Sequence, residues 1–141
     1  MNSEIKIRIL KNADKGIFQD IVSLYKDAGW WEKEYDSDPS FVKVIVKKSF
    51  CFAGAFDGKR LVGMGRALSD GISDAYIEDI VVLKKYRDRG IGSGITNTII
   101  EQLKKNNIDW ITLIGEPGTE KFYRRLNFRT MKNYLPMRLK I

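Results

Sequence analysis

No histidine occurs in this chain of 141 residues, and it holds one cysteine and three prolines. Each shortage removes a class of chemistry. Without histidine there is no Ser-His or Cys-His nucleophile pair and no imidazole for zinc, so proton transfer falls to carboxylates, tyrosine, lysine or water. A lone Cys51 between Phe50 and Phe52 rules out an internal disulfide and reads as a small buried hydrophobe. No apolar run approaches the ~18 residues of a membrane span. The opening Met1-Asn2-Ser3-Glu4-Ile5-Lys6-Ile7 alternates polar and apolar residues and lacks the apolar centre of a secretory leader, so a cytoplasmic location is expected. Neither a metal nor a membrane is expected as a partner.

What the chain does have is positive charge, +7 net from 25 Lys and Arg against 18 Asp and Glu. Such a balance suits an anionic partner. The basic residues are scattered, except for Lys84 to Arg89, which favours a small polyanion at one place over a nucleic-acid track. The length fits one domain, residues 1–141, with no linker, repeat or low-complexity segment.

Asp79 to Ile95 organises the chain. An apolar, β-branched run passes through a basic segment into Gly90, Gly92 and Gly94 and then into Ile91, Ile95, Ile99 and Leu103 at intervals of four. This reads strand, glycine loop, helix, and the free N–H groups of such a helix start form an anion cradle. Two nucleotide patterns fail here. The Walker pattern needs Lys and then Ser or Thr after its last glycine, where this chain has Ile95-Thr96; the dinucleotide pattern needs a further glycine where Ile95 stands.

Upstream, Ile5 to Ile9 alternate as a strand, Asp14 caps a helix with Ile17, Phe18, Ile21, Val22 and Tyr25 on its apolar face, and Asp38-Pro39 opens a second helix. Phe50–Phe56 and Arg60–Leu68 form a hairpin turning at Asp57-Gly58; Gly63 and Gly65 leave room for a close backbone or ligand. Ala75 to Leu83 is the next strand, and Glu78 is expected on the same face as Tyr76, Ile80 and Val82, with Asp79 opposite. Trp110 to Ile114 is a strand and Thr119 to Leu126 a helix stopped by Asn127. Phe128–Met131 and Tyr134–Leu139 close the chain as two strands. The order implies an α/β, mixed-sheet (α+β) fold with helices covering the sheet.

Arg87-x-x-Gly90-x-Gly92 after a strand resembles the acetyl-CoA loop of the GNAT superfamily of N-acetyltransferases. Phe122-Tyr123-Arg124-Arg125-Leu126-Asn127-Phe128 is similar to that family's Phe-Tyr-x-x-x-Gly-Phe segment, with Asn127 for the glycine, and Tyr76-Ile77-Glu78-Asp79 resembles its acidic strand entry in polyamine and amino-sugar acetyltransferases. The resemblance covers nearly the whole chain. It implies a GNAT fold, a central mixed sheet of about six to seven strands flanked by about four helices. It also implies acetyl-CoA as co-substrate, held by Ile80, Val81 and Val82 along its pantetheine arm and by Arg87, Asp88, Arg89, Gly90, Ile91, Gly92 and Ser93 at its pyrophosphate.

Acetylating an amine of pKa about 10 requires a proton acceptor, and the thiolate released, from a thiol of pKa about 8.5, requires a donor. Glu78 is the expected base, directly or through water, and Tyr123 the expected acid. The acceptor, a primary amine of a small molecule, would meet Trp30, Trp31, Tyr35 and Glu78, with Tyr134 a further pocket residue. Peptide or protein acetylation and a non-catalytic CoA-binding regulator remain as alternatives, and a homodimer is admissible. Two departures stand out: Glu116 lies where the family often has asparagine, and Asp88 lies where it has glycine or lysine.

Overall fold

The computed structural model describes residues 4–141. Five strands lie in chain order across one sheet: β1 (Ile5–Ile9), β2 (Cys51–Asp57), β3 (Arg60–Ser69), β4 (Asp74–Val82) and β5 (Trp110–Leu113). The first four pair antiparallel, and β5 joins β4 in parallel. That last pairing demands a crossover, which is α3 (Ile91–Lys105). The other helices are α1 (Lys15–Asp27), α2 (Phe41–Lys48) and the short α4 (Glu120–Arg125).

Each face of the sheet has its own core. Ile91, Ile95, Ile99 and Leu103 bury one side of α3 against Ala53, Val62, Ala67 and Ile77. Ile21, Leu24 and Tyr25 of α1, with Val42 and Val46 of α2, cover Phe52, Phe56, Met64 and Val81 on the other face. Residues of β2 and β3 serve both cores, so these central strands are buried nearly throughout. Cys51 is among them, and burial pushes its thiol up to about 11.

Local chemistry explains most boundaries. The Asp14 carboxylate accepts from the Ile17 N–H at 2.9 Å and starts α1 as expected. Asp38 does not cap α2. Its carboxylate accepts from the N–H and hydroxyl of Ser40, closing a local turn that delays the helix to Phe41. The hairpin loop is Gly58-Lys59, one residue later than expected, because Asp57 still pairs with Arg60.

The larger differences lie at the end of the chain. Phe128–Met131 and Tyr134–Leu139 form no strand among the described residues, so the sheet has five strands rather than six or seven. Their alternation is genuine, but a strand needs an edge to pair with, and here the segment runs free after a turn from Met131 to Tyr134. Tyr134 is consequently exposed.

Ile99 has no solvent exposure and lies at the centre of the α3 core. Ile99→Ala should lower unfolding free energy by about 2–5 kcal/mol, read as a lower urea midpoint with unchanged m value.

Candidate active site

β4 is paired on both edges only for its first half. Asp74 to Ile77 match Trp110 to Leu113 of β5, and from Glu78 onward the β5 side of β4 has no strand partner. Exposed peptide groups on that edge offer an extended ladder to a ligand.

At the same place β4 is bulged. Arg66 of β3 lies opposite Glu78 and Met64 opposite Val81, so two residues of β4, Asp79 and Ile80, stand against Gly65 alone. Asp79 has φ of +60°, a left-handed conformation that costs a non-glycine residue about 1 kcal/mol or more. The extra residue reverses the alternation. Ile80 and Val82 pack with Ala75 and Ile77 on the α3 core, so Glu78 keeps the side of Tyr76 but does not share a face with Ile80 and Val82 as simple period-two counting requires. The room at Gly65 is filled by protein: a Cβ there would lie 2.2 Å from the Ile80 side chain.

Because of the bulge, both carboxylates reach one guanidinium. Arg66 donates through Nε to Asp79 at 2.7 Å and through Nη2 to Glu78. The buried Tyr25 hydroxyl donates to the same Asp79 oxygen at 2.7 Å, and its own ionisation is pushed far upward, by burial first and by Asp79 second. Glu78 titrates above the ordinary carboxylate range. Burial raises it, Arg66 pulls it down, and the Asp79 charge raises it again.

This cluster floors a cavity of about 200 Å³ walled by Tyr25, Trp30, Trp31, Tyr35 and Phe41, with Asp79 and Arg66 facing in. Trp31 stacks on Phe41 at 5.7 Å between ring centres, and Tyr35 stands edge-on to both. Trp30 donates from Nε1 to Glu116 at 3.0 Å, tying the cavity wall to the segment after β5. Of the residues expected to contact an acceptor, Trp30, Trp31 and Tyr35 line this space. Glu78 lies at its base through Arg66.

The glycine loop carries the second part of the site. Gly90, at φ of +78°, occupies the cap position of α3, a conformation that suits a residue without Cβ, and no side chain caps the helix. The first N–H groups of α3, at Ile91, Gly92 and Ser93, therefore face outward with positive potential. The loop arginines are engaged elsewhere: Arg87 donates from Nε to the Val82 carbonyl at 3.0 Å and lies 3.6 Å from Asp27, and Arg89 stacks over Tyr86. Asp88, at φ of +62°, forms the turn before Gly90.

Tyr123 of α4 stands edge-on to Phe122 and Phe128 and next to Gly115, just past β5. Burial raises its phenol above the ordinary value, assisted by the nearby Glu116 and Tyr76. The divergence of β4 from β5 thus lies between the acidic cluster and this phenol.

The family model described as Acetyltransferase (GNAT) family matches residues 17–128. The chain belongs to that family. Among its GNAT relatives, a protein named "Uncharacterized N-acetyltransferase ycf52" from Gracilaria tenuistipitata var. liui is 32% identical over 115 residues, 79% of this chain. The chain spans 61% of the length of that relative. A "Histone acetyltransferase TAP1" of Glycine max is 39% identical over 70 residues, half of this chain and 30% of that protein. A solved GNAT-family structure from Streptococcus pneumoniae TIGR4 superposes with a TM-score of 0.80 at 26% identity, covering 98% of each chain.

Sequence reading missed Arg66, Tyr25 and Phe41. Arg66 shares strand parity with the buried Met64, a charge on a core face, and that was the available signal. Tyr25 read only as a core residue of α1.

Arg66 holds two carboxylates together inside a partly buried cluster, so Arg66→Ala should destabilise the fold by about 2–4 kcal/mol at neutral pH. The loss should shrink as pH falls. Protonating Glu78, whose pKa is raised, relieves the repulsion that Arg66 had offset, and unfolding curves across the acidic range would show it.

Proposed function

We propose that this GNAT chain is an acetyl-CoA-dependent N-acetyltransferase that acetylates a primary amine of a small molecule by direct attack in a ternary complex. One observation carries the reading. Arg66 and Asp79, with Glu78 bound to the same guanidinium, floor an aromatic cavity at the point where β4 loses its β5 partner.

The residues present fit the cofactor. The uncapped N–H groups of Ile91, Gly92 and Ser93 suit a pyrophosphate, and the free edge of Ile80, Val81 and Val82 suits the amides of a pantetheine arm. Acetyl-CoA supplies the reactive thioester. The Arg87 guanidinium acts chiefly by holding the strand end through the Val82 carbonyl, and Asp88 and Arg89 shape the loop.

The acceptor arrives as a cation, since an alkylamine has a pKa of about 10. Ring faces of Trp30, Trp31 and Tyr35 attract it, and Asp79 presents a carboxylate at the floor of the cavity. Glu78, with its raised pKa, takes the amine proton directly or through a water. As the nitrogen–carbon bond forms and the carbon–sulfur bond breaks, Tyr123 gives its proton to the sulfur. Passing a proton from a phenol of pKa about 10 to a thiolate whose acid has a pKa of about 8.5 runs uphill by about 2 kcal/mol, more with the phenol raised by burial, and is driven by the conversion of thioester to amide that it accompanies. A backbone N–H near Val82 polarises the carbonyl. A cavity of about 200 Å³ has room for a small amine.

Thiol release from acetyl-CoA with an amine panel tests the assignments. Glu78→Gln should lower kcat about 10²–10⁴-fold and abolish the acidic limb of the pH profile, because a base must be deprotonated to act and activity climbs as pH passes its raised pKa. Tyr123→Phe should lower kcat with little change in KM for the amine. Full kcat in both variants at every pH would remove both roles. For the cofactor, calorimetry with CoA should show binding that Gly90→Val weakens at least about tenfold, through the left-handed position it occupies. No binding at millimolar CoA, or none lost in the variant, would end the reading.

A further inference from the structure

Tyr25, near the end of α1, is 7% exposed, and its hydroxyl takes no part in either proton transfer. That hydroxyl donates to Oδ2 of Asp79 at 2.7 Å, the same oxygen that accepts from Nε of Arg66 at 2.7 Å. Burial first and the Asp79 charge second push its ionisation far upward, so the O–H stays a donor. Packing alone would be met by a phenylalanine ring. The Asp79 carboxylate is brought to this donor by a left-handed backbone at φ of +60°, a strain that persists only where the surroundings fix it.

Arg66 is held from three directions. Nε meets Asp79, Nη2 meets Glu78, and Nη1 lies 3.4 Å from the Ser49 hydroxyl oxygen at the end of α2, whose own hydrogen goes to the Ile45 carbonyl. A guanidinium so fixed cannot swing to one acid without leaving the other. Two carboxylates therefore share one cation, and whatever alters the hold of Asp79 is felt at Glu78. Among the described residues, the titratable groups facing Glu78 are Arg66 from β3, Asp79 and Tyr76 on its own strand, and Tyr25 from α1. Burial keeps the Tyr76 phenol neutral, as it does Tyr25. Arg66 and Asp79 thus supply the charges that act on Glu78, and Tyr25 acts on the second of them.

We propose that Tyr25 is a positioning residue that sets the proton affinity of Glu78 at a distance, by taking up part of the Asp79 charge and so leaving more of the Arg66 guanidinium to Glu78. That Glu78 uses this proton affinity on an amine rests on the acetyl-transfer reading. The arrangement has a directional signature. In Tyr25→Phe the ring remains, but Asp79 loses a donor, draws Arg66 toward itself and presents its full charge to Glu78, which then holds a proton more tightly. In Asp79→Asn the competing charge is gone, Arg66 serves Glu78 alone, and Glu78 holds a proton less tightly. Asparagine tolerates the left-handed backbone at this position, so that variant keeps the bulge.

Carbon-13 NMR of ligand-free protein labelled at the glutamate carboxyl carbons, with Glu78 assigned by its loss in Glu78→Gln, reads the proton directly. The Glu78 midpoint should rise by at least about half a pH unit in Tyr25→Phe and fall by at least about as much in Asp79→Asn. The acidic limb of kcat for acetylation should move the same two ways, because the base acts only when deprotonated. A Glu78 midpoint that stays put in Tyr25→Phe, or that moves in one direction in both variants as a general loosening would cause, overturns the role of Tyr25 even if acetylation persists. Opposite shifts at Glu78 with an unmoved kcat profile would uphold the role of Tyr25 and instead remove Glu78 as the base.

Discussion

Arg66 stands between two carboxylates that adjoin in sequence, and its charge is what makes their adjacency tolerable inside the protein. Two acids side by side in a partly buried strand repel each other, and each loses solvation. The bulge of β4 against Gly65 turns both toward the guanidinium, and the left-handed Asp79 bears the conformational cost. With Tyr25 donating to the same Asp79 oxygen, the cluster fastens β3, β4 and α1 together. The cavity above it keeps its shape because its floor is ionic and its walls are interlocked rings.

The same bulge has a second effect. Just where it reverses the alternation, β4 parts from β5 and leaves peptide groups unpaired on one edge. An open edge, an uncapped helix start and a half-buried phenol past β5 therefore lie around one divergence. Their proximity follows from topology: a parallel strand pair joined by α3 places the helix start at the carboxyl end of β4, where ligands of α/β proteins gather.

Much of this was legible in the residues. Strand, loop and helix from Asp79 to Ile95 follow from periodicity and glycine content, and the long helices read from their apolar stripes because each buries one face. Trp30, Trp31 and Tyr35, expected beside an acceptor, do line one cavity, and Asp79 supplies its inward carboxylate. What periodicity could not show was a one-residue bulge, since the added residue changes which face every later side chain takes while leaving the local composition unaltered. Arg87 illustrates a different limit. Its position in the loop suggested a phosphate contact, yet its guanidinium is folded onto the Val82 carbonyl and Asp27.

From the sequence alone came the order of the main elements, the glycine-rich start of α3 and the exclusion of histidine chemistry. These depend on composition and on contacts near in the chain. The tertiary structure decided which acid faces the cavity, which cation compensates it, and that the C-terminal alternation finds no strand within its own sheet. Those outcomes depend on residues far apart in sequence meeting at a common place, Arg66 with Asp79, Trp30 with Glu116, and β5 with no neighbour. No local pattern encodes such a meeting, because the free energy that selects it is shared among all the elements that pack there.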